Sequence, residues 1–281
     1  MKQIVITGGN SGIGLETARI LARKGHRVTL TVRSEEKGQK ALKEIHDTET
    51  DPKVDYVLLD LSDFRSMKNA AAELQAACPY LDVLIHNAGY FQSAPRKNEA
   101  GIELTLMVNH IAPFYLTHLL LPILVKSTES RVICVNSDSH FQASFDADNL
   151  NLDRRFHGLR AYARSKLANV LFTYEFERRN VYDHLSVYAL HPGLVNTDIG
   201  AKHTNFFQRL IWNLRSRSGL TPREGADTSV YLATEDKENL TSGAYWHNRQ
   251  RKPSSKASYH TEYARILWEK SKEWCDIDSY F

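Results

Sequence analysis

The chain has 281 residues, of which 42% are hydrophobic and 25% charged, and its 36 basic and 33 acidic side chains give a formal net charge of +3. A charge this small excludes a nucleic-acid surface that works through net charge alone, so we expect no nucleic-acid partner. No linker or repeat divides the sequence, which favours a single domain over residues 1–281.

The first apolar run begins at Ile4, which leaves no room upstream for a signal peptide or membrane anchor. The later run from Leu116 to Val125 is too short to span a bilayer and suits a buried helix. We therefore expect a soluble, cytoplasmic protein. The three cysteines and twelve histidines show no metal-ligand spacing, so we expect reduced thiols and no metal site. The cysteines are Cys78, Cys134 and Cys275.

Short apolar runs alternate with helix-length segments along the chain. The predicted strands are 4–6, 28–32, 54–59, 83–85, 132–135 and 187–190. The predicted helices are 14–24, 35–45, 64–77, 101–125, 161–179 and 223–234. This alternation predicts an α/β fold with a doubly wound parallel sheet, the Rossmann fold. Such sheets bind ligands at the carboxyl ends of their strands.

A glycine-rich turn follows the first strand and opens the first helix. Its glycines allow a tight turn close to a diphosphate, and the helix start offers unpaired N–H groups. The G-x-x-x-G-x-G spacing differs from the commoner G-x-G-x-x-G, but its place between strand and helix predicts a dinucleotide site. The predicted cofactor-binding residues are Gly8, Asn10, Ser11, Gly12, Ile13 and Gly14.

Arg33 follows the second strand, where a residue that contacts the adenosine ribose is expected. An acidic side chain there would favour NAD(H), whereas a guanidinium can hold the 2′-phosphate of NADP(H) by charge-assisted hydrogen bonds. The sequence therefore favours NADP(H), with NAD(H) left open because neighbouring side chains also affect the choice.

Tyr162 and Lys166 are four residues apart in a predicted helix, so their side chains share one face. A nearby cation favours the phenolate, and we expect it to lower the pKa of Tyr162. The pair is therefore a candidate acid and base for proton transfer.

With the glycine-rich turn and the Tyr162 and Lys166 pair, the sequence resembles the short-chain dehydrogenase/reductase family from Ile4 to about Trp246. The resemblance also covers the segments that follow the third, fourth and sixth strands. It implies cofactor contacts at Asp60, Leu61, Asn87, Ala88, Gly89, Pro192, Gly193, Val195 and Thr197, besides Tyr162 and Lys166. His86 replaces the first asparagine of the family's Asn-Asn-Ala-Gly stretch.

Two further catalytic positions follow from the same resemblance. Ser137, just after the fifth strand, matches the serine that orients the substrate, with Ser139 as a rival. Asn109 matches the helix asparagine whose side chain and bent backbone hold a water for proton delivery. The implied reaction is hydride transfer between NADP(H) and a carbonyl or alcohol carbon, with Tyr162 as acid and base.

The segment around Tyr162 resembles the retinol dehydrogenase and WW-domain oxidoreductase branch, whose members act on lipophilic aldehydes and alcohols. We expect a substrate lid near residues 198–220, where an apolar stripe at 205–215 suits such a substrate. That stripe could instead be ordinary core or make a peripheral membrane contact. A reductase of small polar ketones or sugars, and a non-catalytic protein that senses or scaffolds NADP(H), stay open as alternatives.

The last part of the chain, near residues 258–281, has a helical pattern of apolar residues. We expect a carboxyl-terminal helix that packs on the domain or on a partner subunit. The family resemblance also implies that helices 101–125 and 161–179 can pair subunits in a homodimer.

Overall fold

Eight strands form one sheet in the computed structural model, which describes residues 1–195 and 219–281. They are β1 (Gln3–Thr7), β2 (Arg27–Val32), β3 (Val54–Leu58), β4 (Val83–His86), β5 (Ser130–Val135), β6 (Leu185–His191), β7 (Ala244–His247) and β8 (Gln250–Arg251). Their order is β3-β2-β1-β4-β5-β6-β7-β8, and β1 to β7 are parallel. The short β8 pairs antiparallel with β7. The predicted doubly wound fold is confirmed, with β7 and β8 added.

Helices cover both faces of this sheet, as its apolar strands require. They are α1 (Gly12–Arg23), α2 (Glu35–His46), α3 (Phe64–Ala77), α4 (Leu104–Leu124), α5 (Gly158–Arg179), α6 (Pro222–Thr234) and α7 (Thr261–Cys275). One hydrophobic core lies between the sheet and α1, α2 and α6. The other lies between the sheet and α3, α4, α5 and α7.

The α4 helix is continuous because a π-helical turn, Met107–Ile111, joins its two α-helical parts. Among the described residues it is the one helix whose length and mean hydropathy of 1.3 are sufficient to cross a membrane. This corrects the expectation that no apolar run is long enough. In the fold, 78% of its apolar window is buried, as in the core helix of a globular domain.

The α7 helix packs against the outer faces of α4 and α5 and thereby covers them. Trp268 is 2% exposed, and its ring centroid lies 5.1 Å from that of Phe114 on α4 and 6.0 Å from that of Phe172 on α5. Tyr280 continues the same contact, with its ring 4.6 Å from Phe114. The predicted carboxyl-terminal helix therefore packs on its own domain, against the two helices that the family resemblance assigns to subunit pairing.

We expect Trp268→Ala to lower the free energy of unfolding by about 3–5 kcal/mol, because the substitution removes a fully buried indole from this aromatic cluster. Trp274→Ala is the matched control, since Trp274 lies on the same helix and is only half-buried. Urea denaturation of both variants measures the difference. Equal losses would contradict the packing described for α7.

Candidate active site

The glycine loop adopts backbone conformations that favour glycine. Gly8 and Gly12 have positive φ angles of 64° and 56°. A Cβ atom at Gly14 would collide with the carboxamide nitrogen of Asn87 and lie 2.6 Å from the carbonyl oxygen of Gly8. The loop therefore turns tightly against the start of α1, as the sequence predicts.

Asn87 ties this loop to the segment that follows β4. Its Nδ2 donates to the carbonyl oxygens of Thr7 at 3.0 Å and Gly8 at 3.1 Å. The Thr7 hydroxyl in turn accepts from the backbone N–H of Ala88 at 3.1 Å. The side chain of Asn87 thus supports the glycine loop, and half-buried Gly89 follows it at the same edge of the sheet.

The start of α1 fits an anionic group. Ser11 is the N-cap residue, yet its side chain makes no capping hydrogen bond, and the first turn carries no acidic residue. Backbone N–H groups and the positive end of the helix dipole are therefore directed to the space beside Asn10 and Ser11. This geometry suits the diphosphate of a dinucleotide.

Arg33 and Asp60 lie at the carboxyl ends of the neighbouring strands β2 and β3. Arg33 is exposed, whereas Oδ1 of Asp60 accepts from the backbone N–H and hydroxyl of Ser62 at 2.9 and 2.7 Å. Leu61 beside it is buried. Burial raises the pKa of Tyr90 in the loop after β4, and the guanidinium groups of Arg96 and Arg33 oppose that rise. The charge of Arg33 therefore reaches the ligand-binding edge of the sheet.

Ser137 and Tyr162 meet where β5 ends beside α5. Burial raises the pKa of Tyr162 to about 12, and a side-chain hydrogen bond between Ser137 and Tyr162 opposes the rise. The Ser137 hydroxyl also donates to Ser139 Oγ at 3.0 Å and accepts from the Ser139 backbone N–H at 3.2 Å. The geometry therefore favours Ser137 over Ser139 as the partner of Tyr162.

Lys166 lies on the same face of α5 with only 4% of its surface exposed. Its Nζ donates to the carbonyl oxygen of Val135 at 3.0 Å and lies 5.6 Å from the centroid of the Tyr162 ring. Burial lowers the pKa of Lys166 to about 8, and a weaker interaction with Cys134 opposes this. The expected lowering of the Tyr162 pKa is wrong, because burial penalises the charged phenolate and raises the pKa instead. The phenol is protonated at neutral pH and can donate a proton.

Asn109 lies in the π-helical turn of α4, and its side chain is fully engaged with the protein. Its Oδ1 accepts from the backbone N–H of Tyr90 at 2.7 Å, while Nδ2 donates to the Tyr90 carbonyl and to Ser165 Oγ, both at 2.9 Å. The Ser165 hydroxyl donates to the Tyr162 carbonyl at 2.8 Å. Asn109 therefore connects the β4 loop with the helix that carries Tyr162.

The loop after β4 also packs directly on the start of α5. The Phe91 ring meets the Tyr162 ring edge to face, with centroids 6.1 Å apart. A Cβ atom at Gly158 would collide with the carbonyl oxygen of Gln92. Sequence reasoning missed Tyr90, Phe91 and Ser165. The position of Ser165 directly before Lys166 is the one local signal that could have indicated it.

The segment after β6 closes the site near the glycine loop. Gly193 has a φ of 87°, and Val195 forms a β-bridge with Leu220. A Cβ atom at Gly225 would lie 2.6 Å from Val195 Cγ2 and 3.2 Å from Ile13 Cγ1, so this segment and the glycine loop approach the same point. Pro192 is half-buried beside them.

Two predictions fall on residues 196–218. Thr197 and the apolar stripe at 205–215 lie outside the described residues, and so does most of the expected lid near 198–220. In the described ranges 1–195 and 219–281, no group of three or more His, Cys, Asp or Glu residues could hold a metal ion. Cys78, Cys134 and Cys275 are buried free thiols.

The comparisons with known proteins agree with this geometry. The short chain dehydrogenase profile matches residues 2–206. Human retinol dehydrogenase 11 is 38% identical over 276 residues, which cover 98% of this chain and 85% of that protein. Human dehydrogenase/reductase SDR family member 13 is 40% identical over 275 residues, which cover 95% of this chain and 71% of that protein.

A solved structure of an uncharacterized protein from Mycobacterium paratuberculosis superimposes with a TM-score of 0.78 and 32% identity. The superposition covers 99% of this chain and 94% of that one. The chain belongs to the short-chain dehydrogenase/reductase family. It is accordingly an oxidoreductase of the class that acts on CH–OH groups with a nicotinamide cofactor.

We expect Asn87→Ala to weaken nicotinamide cofactor binding by roughly tenfold, because two carbonyl groups of the glycine loop lose their shared donor. Asn98→Ala is the control, since Asn98 also ties two loop segments together, through bonds to Ser62 and Ile102. Cofactor titration by fluorescence measures both affinities. An unchanged affinity in Asn87→Ala would show that the loop does not need this support.

Proposed function

We propose that the protein is an NADP(H)-dependent oxidoreductase that interconverts a lipophilic aldehyde or ketone and its alcohol. The observation that carries this proposal is the arrangement of Ser137, Tyr162 and Lys166 at the end of β5, beside a glycine loop that suits a dinucleotide. Asn109 supports the arrangement from α4.

The chemistry follows from the protonation states of these groups. The hydroxyl groups of Ser137 and Tyr162 would both hydrogen-bond the substrate oxygen, which places the reacting carbon beside the cofactor site. The bound nicotinamide supplies or accepts the hydride. In reduction, neutral Tyr162 donates its proton as negative charge develops on that oxygen. Lys166, whose Nζ lies 5.6 Å from the centroid of the Tyr162 ring, would then stabilise the phenolate that remains.

In this mechanism Asn109 acts through the hydrogen bonds that its carboxamide makes with the β4 loop and α5. Its carboxamide is occupied by Tyr90 and Ser165. A water for proton delivery would therefore bind at the backbone that the π-helical turn opens, since such turns leave carbonyl groups with altered hydrogen bonding. The side chain holds the neighbouring loop and helix in register around that water.

The residues of the cofactor site fit a phosphorylated dinucleotide. The start of α1 suits the diphosphate, Pro192, Gly193 and Val195 would contact the nicotinamide end, and Asp60 and Leu61 would border the adenine. Arg33 is exposed directly after β2, at the position of the adenosine ribose, which supports NADP(H). NAD(H) is the alternative cofactor.

We expect Arg33→Ser to raise the KM for NADPH by about 10- to 100-fold and to leave the KM for NADH nearly unchanged, because a charge-assisted bond to the 2′-phosphate is lost. Arg27→Ser is the matched control, since Arg27 is an exposed arginine at the other end of β2. Initial-rate kinetics with both cofactors measure the change. A parallel loss for NADPH and NADH would contradict this role.

The lipophilic substrate class is supported by the relatives, which include human retinol dehydrogenase 14 at 36% identity. Exposed Phe141 and Leu194 follow β5 and β6, so apolar side chains border the candidate site. A lid near 198–220, the cytoplasmic location and a homodimer remain parts of this proposal, with a peripheral membrane contact of the 205–215 stripe as the alternative to the lid. Because α7 covers α4 and α5, such a homodimer would use another surface.

We expect NADPH oxidation with a panel of carbonyl compounds to be faster for long apolar aldehydes than for small polar ketones. Tyr162→Phe should lower kcat by about 10²- to 10⁴-fold, because the proton donor is removed. Tyr174→Phe is the matched control on the same helix, where the hydroxyl hydrogen-bonds Ser254 instead.

Preference for small polar ketones or sugars in this panel would favour the alternative reductase. Cofactor binding without turnover of any compound would favour an NADP(H)-sensing or scaffold protein. Full activity of Tyr162→Phe would contradict the assigned acid.

A further inference from the structure

The α7 helix contacts both elements that carry the candidate catalytic groups. Its buried residues are Ala264, Leu267, Trp268, Ser271 and Cys275. On one side it touches α4, which contains Asn109, and on the other it touches α5, which contains Tyr162 and Lys166. A change in the position of α7 would therefore act on both helices together.

A buried polar pair connects α7 to the π-helical turn of α4. His110 follows Asn109 in that turn and is 1% exposed, and its Nε2 lies 3.0 Å from the Ser271 hydroxyl oxygen. Ser271 itself has no exposed surface. Burial lowers the pKa of His110 to about 4, and the Asn169 side chain on α5 opposes this. The imidazole is thus neutral and lies between α7 and α5.

This contact lies at a position where the helix needs external support. A π-helical turn is a rare conformation that persists when its surroundings favour it. Adjacent residues on a helix point in different directions, so Asn109 and His110 anchor different sides of the same turn. Asn109 holds Tyr90 and Ser165, and His110 holds Ser271.

An ordinary core would place apolar side chains at 110 and 271. The contact with Ser271 satisfies Nε2 of the buried imidazole, whereas its Nδ1 has no hydrogen-bond partner among the described residues. Loss of this one polar contact would leave both groups buried and unpaired, so the pair selects one register of α7 against α4. Phe114 and Phe172 pack around the imidazole, with ring centroids 6.2 and 6.3 Å away. The aromatic contacts stabilise the packing of the helices, and the polar pair determines the register of α7 against α4.

We propose that His110 and Ser271 are positioning residues: their hydrogen bond lets the carboxyl-terminal helix hold the π-helical turn in the geometry that Asn109 requires. This inference rests on the proposed function as far as catalysis is concerned. Its structural part, the support of residues 107–111 by Ser271, is independent of it.

The test compares Ser271→Ala with Ser271→Thr, which keeps the hydroxyl, and with Ser229→Ala. Ser229 is an equally buried serine on α6, where its hydroxyl has no hydrogen-bond partner among the described residues. We expect Ser271→Ala to lower kcat by about 5- to 20-fold with cofactor affinity unchanged, since misplacement of a supporting group affects the reacting geometry. Ser271→Thr should restore most of the rate, and Ser229→Ala should keep the rate of the unmodified protein.

A double-mutant cycle with Asn109→Ala identifies the route of the effect. If Ser271 acts through Asn109, adding Ser271→Ala to Asn109→Ala produces no further loss of kcat in single-turnover measurements. Fully additive losses would overturn the proposed route. A lower melting temperature in Ser271→Ala with an unchanged kcat would show a merely structural role.

Hydrogen exchange of a peptide covering residues 107–111 gives a readout that does not depend on activity. We expect faster exchange there in Ser271→Ala than in Ser229→Ala. If the protein reduces no carbonyl compound but exchange is faster in Ser271→Ala, the proposed function is rejected, whereas the support of residues 107–111 by Ser271 is retained. If Tyr162→Phe loses activity but Ser271→Ala changes neither the exchange nor kcat, the proposed function stands and the positioning role of His110 and Ser271 is rejected.

Discussion

The burial of α5 is the constraint on which the candidate active site depends. A helix this enclosed must find partners for its polar groups within the protein. Lys166 finds the carbonyl oxygen of Val135, and Tyr162 finds Ser137, both at the end of β5. The same loss of water raises the pKa of Tyr162 and lowers that of Lys166. Packing of α5 against β5 therefore both assembles the candidate catalytic groups and sets a neutral phenol beside a weakly basic amine.

Two carboxamides hold the loops around this pair. Asn87 joins the β1 and β4 loops through two backbone carbonyls, and Asn109 joins the β4 loop to α5 through Tyr90 and Ser165. Both carboxamides hydrogen-bond backbone groups of these loops, and Asn109 also donates to the Ser165 hydroxyl. Loops fixed in this way need little rearrangement when ligands bind, and a preorganised site lowers the barrier of the reaction. The cover formed by α7 extends the same support to the outer side of α4.

Local patterns in the sequence predict most of the fold. Apolar runs predict β1 to β6, and the glycine spacing at 8, 12 and 14 predicts the tight turn of the glycine loop, because short-range sterics determine both. The π-helical turn and the pairing of Asn109 with Tyr90 depend on tertiary contacts that no spacing reveals. The predicted lowering of the Tyr162 pKa was wrong for a related reason. A four-residue spacing indicates the distance to a charge but says nothing about desolvation. The carboxyl-terminal helix shows the same limit, since its Leu267 and Trp268 are buried while its Trp274 is only half-buried.

In the proposed mechanism, Ser137, Tyr162 and Lys166 direct hydride transfer between a nicotinamide cofactor and a carbonyl carbon. The most direct measurement follows deuterium from NADPH labelled at C4, in separate experiments on each face of the ring, into the alcohol formed from an apolar aldehyde. The proposed mechanism predicts deuterium on the carbinol carbon from one labelled face only, with the hydroxyl proton derived from solvent. Retention of the label in bound cofactor from both faces, across the full range of carbonyl compounds, would contradict it.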